Sequence, residues 1–109
     1  MTVTIEVKAQ SGKTQELYQT LQALLPTMRE EKDCRDCRIS RDVENGEVFL
    51  FFSDWESKGS FERYMHSDNG HVLLGAIKML GESARFRISS DACWKEIGAV
   101  TFKGPEDRQ

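Results

Sequence analysis

The chain has 109 residues, with 39% hydrophobic and 30% charged side chains and a formal net charge of −3. A chain of this length makes one globular domain that can bury a core without metal or disulfide staples, so the composition argues against a disordered protein. Acidic and basic residues are interleaved, as in REEKDCRD at residues 29–36, which argues against a nucleic-acid partner or a polybasic membrane surface, because both need concentrated positive charge.

The first third of the chain predicts a strand followed by a helix. Apolar and polar residues alternate from residue 2 to residue 8, which is the pattern of a half-buried strand. Ser11-Gly12 then predicts a turn. Apolar residues at helical spacing predict an amphipathic helix over residues 14–32. Pro26 falls inside this helix, where it removes a hydrogen bond, so we expect a kink or a break there.

The middle of the chain predicts a hairpin and a second helix. Strands are predicted over residues 35–43 and 47–55, and Asn45-Gly46 between them is the strongest short hairpin signal. A helix is predicted to begin near Ser57, a residue type that caps helix N-termini. Its apolar face comprises Phe61, Tyr64 and Met65.

The last third predicts a helix over residues 71–80, a strand over 84–89 and an extended segment over 93–102. The predicted inner face of the helix comprises Val72, Leu73, Ala76, Ile77 and Leu80, and the extended segment carries Trp94, Ile97, Val100 and Phe102. The order β-α-β-β-α-β with an extra C-terminal strand is that of a ferredoxin-like α+β fold with an antiparallel sheet. We expect one domain over residues 1–103 and a polar tail over residues 104–109.

The sequence contains no run of 18 apolar residues, so we predict no transmembrane helix and no membrane partner. The opening segment MTVTIEVKAQ has neither the basic region nor the apolar region of a secretory signal. The expected location is therefore the cytoplasm.

Three cysteines are present, and two of them, Cys34 and Cys37, form a CxxC pair. One such pair is weak support for a structural zinc site, which needs four protein ligands. Residues three apart in a regular strand face opposite sides, so we do not expect these thiols to bridge. Ordinary reduced thiols are the prediction, and a redox or metal role is the alternative.

The third predicted strand is apolar at both parities. Phe49, Phe51 and Trp55 lie on one parity, and Val48, Leu50 and Phe52 lie on the other. A sheet with helices on one side should be polar on its other side, so both faces of this sheet should be covered. A second copy of the chain is the economical cover and predicts an isologous dimer. The alternative is that the second helix encloses a pocket on one face and a loop covers the other.

The segments DCRDCRISRD and FFSDWESKGSFERYMHS, together with the strand–Ser-Gly–helix opening and the Asn-Gly turn, carry a family resemblance. Over roughly residues 2–90 the sequence resembles the antibiotic biosynthesis monooxygenase (ABM)-like domains of the dimeric α/β-barrel superfamily. The resemblance implies a ligand pocket between sheet and helices, no cofactor and no metal. It also implies a homodimer formed through the sheet faces and the C-terminal strand. Relatives include cofactor-free oxygenases that act on quinols and polyphenolic compounds.

Two departures from the family pattern bear on function. Many members carry a histidine in the helix after the tryptophan, where this chain has Tyr64. Haem-degrading relatives place an asparagine in the first strand, and TVTIEVK has none, which disfavours haem degradation. Trp55 fits the family tryptophan, and His71 lies near a histidine found in some relatives.

The resemblance implies a catalytic set of Trp55, Tyr64 and His71, in which His71, or alternatively His66, accepts a proton and the other two donate hydrogen bonds to the substrate. The predicted substrate-binding residues are Phe51, Trp55, Tyr64, Met65 and His71. Each has a plain alternative: Trp55 caps the sheet, Tyr64 packs beside Phe61, and the histidines lie on the surface.

The sequence and the resemblance therefore favour two functions. The first is a cofactor-independent monooxygenase that acts on a quinol or aromatic small molecule. The second is a non-catalytic ligand-binding or stress-response dimeric module of the same fold, which the replacement of the family histidine by Tyr64 motivates.

Overall fold

A computed structural model describes residues 1–89 and 93–97. These residues form five strands and three helices. The strands are β1 (Thr2–Ala9), β2 (Cys34–Arg41), β3 (Val48–Trp55), β4 (Gly81–Ile88) and β5 (Lys95–Glu96). The helices are α1 (Thr14–Arg29), α2 (Lys58–Met65) and α3 (Asp68–Leu80). The strands make one antiparallel sheet in the order β2-β3-β1-β4-β5. The predicted ferredoxin-like α+β fold is confirmed.

The core lies between one face of the sheet and the helices. In β3 the residues of one parity, Phe49, Phe51, Ser53 and Trp55, are all buried. They face the apolar stripe of α1, which includes Leu17 and Leu21. The helices therefore cover the sheet on this side, as the amphipathic spacing predicts.

Helix α1 contains Pro26 without breaking, but it ends at Arg29 and not at residue 32. Because Pro26 stands in the last turn, the helix ends soon after the hydrogen bond that the proline removes. The Arg29 guanidinium then reaches β2, where its Nε and Nη2 donate to the carbonyl oxygen of Cys37 at 3.2 and 3.0 Å.

Helices α2 and α3 follow each other with almost no linker. Ser57 caps α2 by accepting from the Ser60 N–H at 3.2 Å, as predicted, and Ser67 caps α3 by accepting from the Gly70 N–H at 3.2 Å. A Cβ at Gly70 would overlap the carbonyl oxygen of Tyr64, so only glycine allows this approach. Helix α3 begins at Asp68, so the prediction that it begins at residue 71 is wrong.

The buried face of α3 also differs from the prediction. Leu73, Leu74, Ile77 and Leu80 are buried, whereas Val72 is 53% exposed. The stripe centred on these four residues turns position 72 outward, since successive helical residues are about 100° apart. The placement of Val72 on the inner face is wrong.

A β-bulge in β2 reverses the expectation for the cysteine pair. Cys34 lies opposite Trp55 and Cys37 lies opposite Ser53, with the register shift between Cys34 and Asp36. The extra residue of the bulge turns both thiols toward the helices. Cys37 is buried in the core and Cys34 packs against it, so the expectation of opposite faces is wrong.

The other face of the sheet has no helix over it within the described residues. Val48, Leu50 and Phe52 of β3 lie there and are half-buried. At its edge, Trp94 stacks against the guanidinium groups of Arg85 and Arg87, at 4.3 and 4.7 Å. Val100, Phe102 and the predicted tail at 104–109 lie outside the described residues.

None of the helices in the described ranges combines the length and the apolarity that a membrane span requires.

Candidate functional site

Two aromatic rings meet where β3 ends and α2 begins. Trp55 is the last residue of β3 and belongs to the parity that faces the helices. Tyr64 lies on the inner face of α2, and its ring centroid is 5.2 Å from that of Trp55. The ring centroid of Phe61, one turn earlier on α2, lies 5.9 Å from that of Trp55. The strand–cap–helix sequence thus produces an aromatic cluster at this end of the sheet.

Each of the two rings carries a buried donor without an acceptor. Among the described residues, neither the Trp55 Nε1–H nor the Tyr64 hydroxyl has a hydrogen-bond partner. A buried polar group left in this state costs about 1–3 kcal/mol. Native proteins keep few such groups, and they tend to occur where a ligand or a function requires them. The pair therefore identifies a place where an acceptor can bind.

A cavity of about 350 Å³ is lined by both Trp55 and Tyr64. Its volume lies within the usual range for small-molecule pockets. The lining residues are Glu31, Lys32, Asp33, Trp55, Ser60, Arg63, Tyr64 and Ser67. The aromatic residues contribute an apolar wall, and the charged residues come from the α1–β2 loop and from α2.

Asp33 ties the two sides of the cavity together. Its Oδ2 accepts from the Ser60 hydroxyl at 3.1 Å and from Arg63 Nη2 at 3.0 Å. Its carbonyl oxygen accepts from the Glu56 N–H at 2.9 Å. These contacts hold the α1–β2 loop against α2 and define the width of the cavity. The Asp33 carboxylate is thereby already occupied.

Tyr64 is a hydrogen-bond donor and not a base. Burial strongly raises the pKa of its hydroxyl, and the nearby negative charge of Glu31 raises it further. The phenol therefore keeps its proton at neutral pH. Trp55 Nε1 is a donor at any pH. A donor of either kind can stabilise negative charge on an oxygen that accepts from it.

The predicted site residues are divided between the cavity and other regions. Trp55 and Tyr64 line the cavity together, whereas Phe51 and Met65 are buried in the core and are not part of its lining. His71 is exposed in the first turns of α3, where its N–H donates to the Ser67 carbonyl oxygen at 2.9 Å. Its catalytic role stays a prediction.

Sequence reasoning missed Asp33, Ser60 and Arg63. Ser60 and Arg63 stand at i and i+3 on α2, a spacing that shows they share a helical face. Nothing in the sequence shows that Asp33, from a distant loop, would join them.

Residues 1–71 match the model of the antibiotic biosynthesis monooxygenase family. A protein from Pseudomonas aeruginosa has a similar structure, with a TM-score of 0.73 and 19% identity over 79% of this chain and 87% of that one. A Shewanella oneidensis protein gives 0.73 and 20%, over 79% and 84%. A Deinococcus radiodurans protein named as a candidate antibiotic biosynthesis monooxygenase gives 0.72 and 20%, over 95% and 100%. At these identities the structures are similar in fold. No curated protein matches the sequence.

We predict that Tyr64→Phe leaves the ligand-free protein as stable at pH 7 or stabilises it by about 1 kcal/mol, because the variant lacks a buried hydroxyl without a partner. Above pH 10 the wild type should lose stability, since the unfolded chain releases the Tyr64 proton and the folded chain keeps it. Tyr64→Phe should remove part of this loss, which is up to about 1.4 kcal/mol per pH unit for one group.

Urea denaturation at pH 7 and near pH 10.5 measures both effects. The control is Tyr18→Phe, since Tyr18 stacks on Phe49 at 6.0 Å and does not line the cavity. Destabilisation of Tyr64→Phe by more than about 1 kcal/mol at pH 7 would mean that the hydroxyl has a partner within the protein.

Proposed function

The chain belongs to the antibiotic biosynthesis monooxygenase family, and on that premise we propose that it is a cofactor-independent monooxygenase for a quinol or a related aromatic small molecule. One observation carries the proposal. The Trp55 Nε1–H and the Tyr64 hydroxyl are buried and lack partners among the described residues, and both residues line the same cavity. A phenolate oxygen is the acceptor that would satisfy both.

The reaction needs no electrons from outside the substrate and oxygen. A phenol with hydrogen on the carbon para to its hydroxyl reacts with one O₂ to give a quinone and one water. A quinol reacts in the same proportion to give a hydroxyquinone and water. The substrate loses its hydroxyl proton, its anion passes one electron to O₂, and the two radicals combine at a ring carbon. Loss of water from the hydroperoxide then forms the new carbonyl group.

The cavity supports the first two of these steps. Two neutral donors at the phenolate oxygen favour the anion over the phenol, and in a site with little water they act more strongly than in solution. The flat walls formed by Trp55 and Tyr64 suit an aromatic ring. The two donors stabilise the reaction most when negative charge develops on the substrate oxygen.

The base that removes the hydroxyl proton has two candidates. Glu31 lines the cavity, and its side chain makes no ion pair with any described residue, whereas Asp33 is held by Ser60 and Arg63. His71 is the candidate from the sequence, and it stands on α3 outside the cavity lining. Glu31→Gln and His71→Ala separate the two.

The second candidate function is a ligand-binding module without turnover. It is favoured by the absence of a histidine among the residues that line the cavity, since histidine is the side chain that most readily exchanges protons near neutral pH. In this case the two donors serve affinity alone.

We further propose that the active form is a homodimer in which the uncovered sheet faces meet. Val48, Leu50 and Phe52 form a continuous apolar row on that face, next to the charged side chains of Glu6 and Arg85, which pair at 2.6 Å. A two-fold arrangement would bury the apolar row of each copy against the other. The C-terminal strand is part of this proposed interface.

Oxygen-electrode assays with hydroquinones and naphthalenediols test the activity. We expect uptake above the autoxidation rate, with a water and quinone stoichiometry of one per O₂. Trp55→Phe and Tyr64→Phe should each lower kcat/KM about 100-fold, since each removes one donor to the oxyanion. Tyr18→Phe is the matched control and should leave the rate unchanged, since Tyr18 does not line the cavity.

Autoxidation rates with every substrate would contradict the oxygenase. If the same compounds raise the melting temperature of the wild type but not of Tyr64→Phe, the binding module is the correct account. Equal rates in the wild type and in both site variants would place the reaction elsewhere.

For the dimer, sedimentation velocity at micromolar concentration should show the wild type as a dimer and Leu50→Glu as a monomer, because a charge would be buried in the interface. Val43→Glu is the control, since Val43 is 99% exposed. A monomeric wild type would contradict the proposal.

A further inference from the structure

The β2 bulge places Cys34 on the same face of the sheet as Cys37, whose sulfur contacts that of Met28. Three residues apart on a regular strand, Cys34 and Cys37 would be about 10 Å apart and on opposite faces. The bulge instead places them opposite Trp55 and Ser53, which are two residues apart on β3. Their Cα atoms are therefore roughly 7 Å apart on the same face.

Met28 supplies the third sulfur. Its Sδ lies 3.2 Å from the Sγ of Cys37, and both side chains are buried. Cys34 is less buried, and its Sγ donates weakly to the carbonyl oxygen of Asp36 at 3.4 Å. The Cys37 and Met28 side chains are therefore buried, whereas Cys34 is partly exposed to solvent.

The chemistry of this donor set is soft. Thiolates and thioethers select soft metal ions, whereas Mg²⁺ and Ca²⁺ require oxygen ligands. Within the described residues, no group of three or more histidine, cysteine or acidic side chains is placed to hold a metal ion. Zinc, which needs four nitrogen, sulfur or oxygen ligands in structural sites, therefore does not fit, whereas two thiols and one thioether are the kind of ligands that a three-coordinate soft monovalent ion takes.

The Cys37 and Met28 sulfurs need to move only slightly to bind the same metal ion. Metal–sulfur bonds of about 2.3 Å in a trigonal site place the ligand sulfurs about 4 Å apart. The Cys37 and Met28 sulfurs must then separate by less than about 1 Å, and methionine has three rotatable bonds to allow it. The bound ion with two thiolates has a charge of −1, and the Arg29 guanidinium, held on the Cys37 carbonyl oxygen, lies close enough to offset it.

We propose that Cys34, Cys37 and Met28 form a binding site for one soft monovalent metal ion, for which Cu(I) is the probe. Binding exchanges one Cu(I) for two thiol protons, so the net charge of the chain falls by one. No oxidant or reductant takes part. The site is separate from the aromatic cavity, but it touches the same strand end through the pairing of Cys34 with Trp55.

The test is an anaerobic competition titration with a chromogenic Cu(I) chelator, on protein whose three thiols have first been shown to be free. We expect one Cu(I) per chain in the wild type and in Cys93→Ser, which changes an exposed cysteine outside the cluster. Cys34→Ser and Cys37→Ser should lose the site. Met28→Leu keeps the volume and should weaken binding about tenfold or more.

Retention of Cu(I) by Cys34→Ser with wild-type affinity would overturn the proposal, as would an unchanged affinity in Met28→Leu. Loss of binding in Cys93→Ser would overturn it as well. If Cys37→Ser does not fold, Cys34→Ser and Met28→Leu still decide, since Cys34 is only partly buried and leucine replaces methionine with little change in volume.

Discussion

The Trp55 and Tyr64 rings pack together at the point where β3 gives way to α2, with their centroids 5.2 Å apart. Three features of the fold converge on this contact. The parity of β3 turns Trp55 toward the helices, the Ser57 cap starts α2 immediately after the strand, and Gly70 lets α3 approach the Tyr64 carbonyl closely. Neither donor has an acceptor among the described residues, so the packing that completes the core also leaves two donors at the candidate site.

The sequence predicts most of the fold because periodicity records which side of each element is buried. Alternation in β1 and the Ser57 cap appear where expected, and β2 pairs with β3 in the predicted hairpin, although residues 42–47 connect the strands in place of a short Asn-Gly turn. Val72 is the exception on α3. Its neighbour Leu73 is buried, and successive side chains on a helix point about 100° apart, so Val72 faces outward. The start of α3 is also earlier than predicted, since the close approach at Gly70 depends on the α2–α3 packing and is invisible in a periodic pattern.

The candidate site is less predictable, for two physical reasons. Trp55 and Tyr64 are identified from the family resemblance, but Asp33 reaches the cavity from a loop distant in sequence, and only tertiary structure brings it to Ser60 and Arg63. The β2 bulge is the second reason. It inverts the side on which Cys34 lies, and one inserted residue is enough to convert two unrelated thiols into neighbours. In both cases the information lies in pairing between segments.

The aromatic cavity and the sulfur cluster therefore share a strand end but differ in their chemistry. The cavity has neutral donors that suit an oxyanion, whereas the cluster has sulfur ligands that suit a soft cation. Cys34 and Trp55 are cross-strand neighbours, so occupation of one site can be detected from the other. The proposal for the cavity draws on family membership, whereas the proposal for the sulfur cluster does not.

The central claim is that the Trp55 indole N–H is held for a ligand oxygen. Its most direct measurement is the ¹⁵N–¹H spectrum of the two indole groups during an anaerobic titration with a naphthalenediol, where the absence of oxygen prevents turnover. Trp94→Phe assigns the two signals. We predict that the signal of the Trp55 indole proton shifts downfield when the naphthalenediol binds, and that Tyr64→Phe binds this ligand more weakly than the wild type. A ligand that binds tightly and leaves the Trp55 signal in place would contradict it.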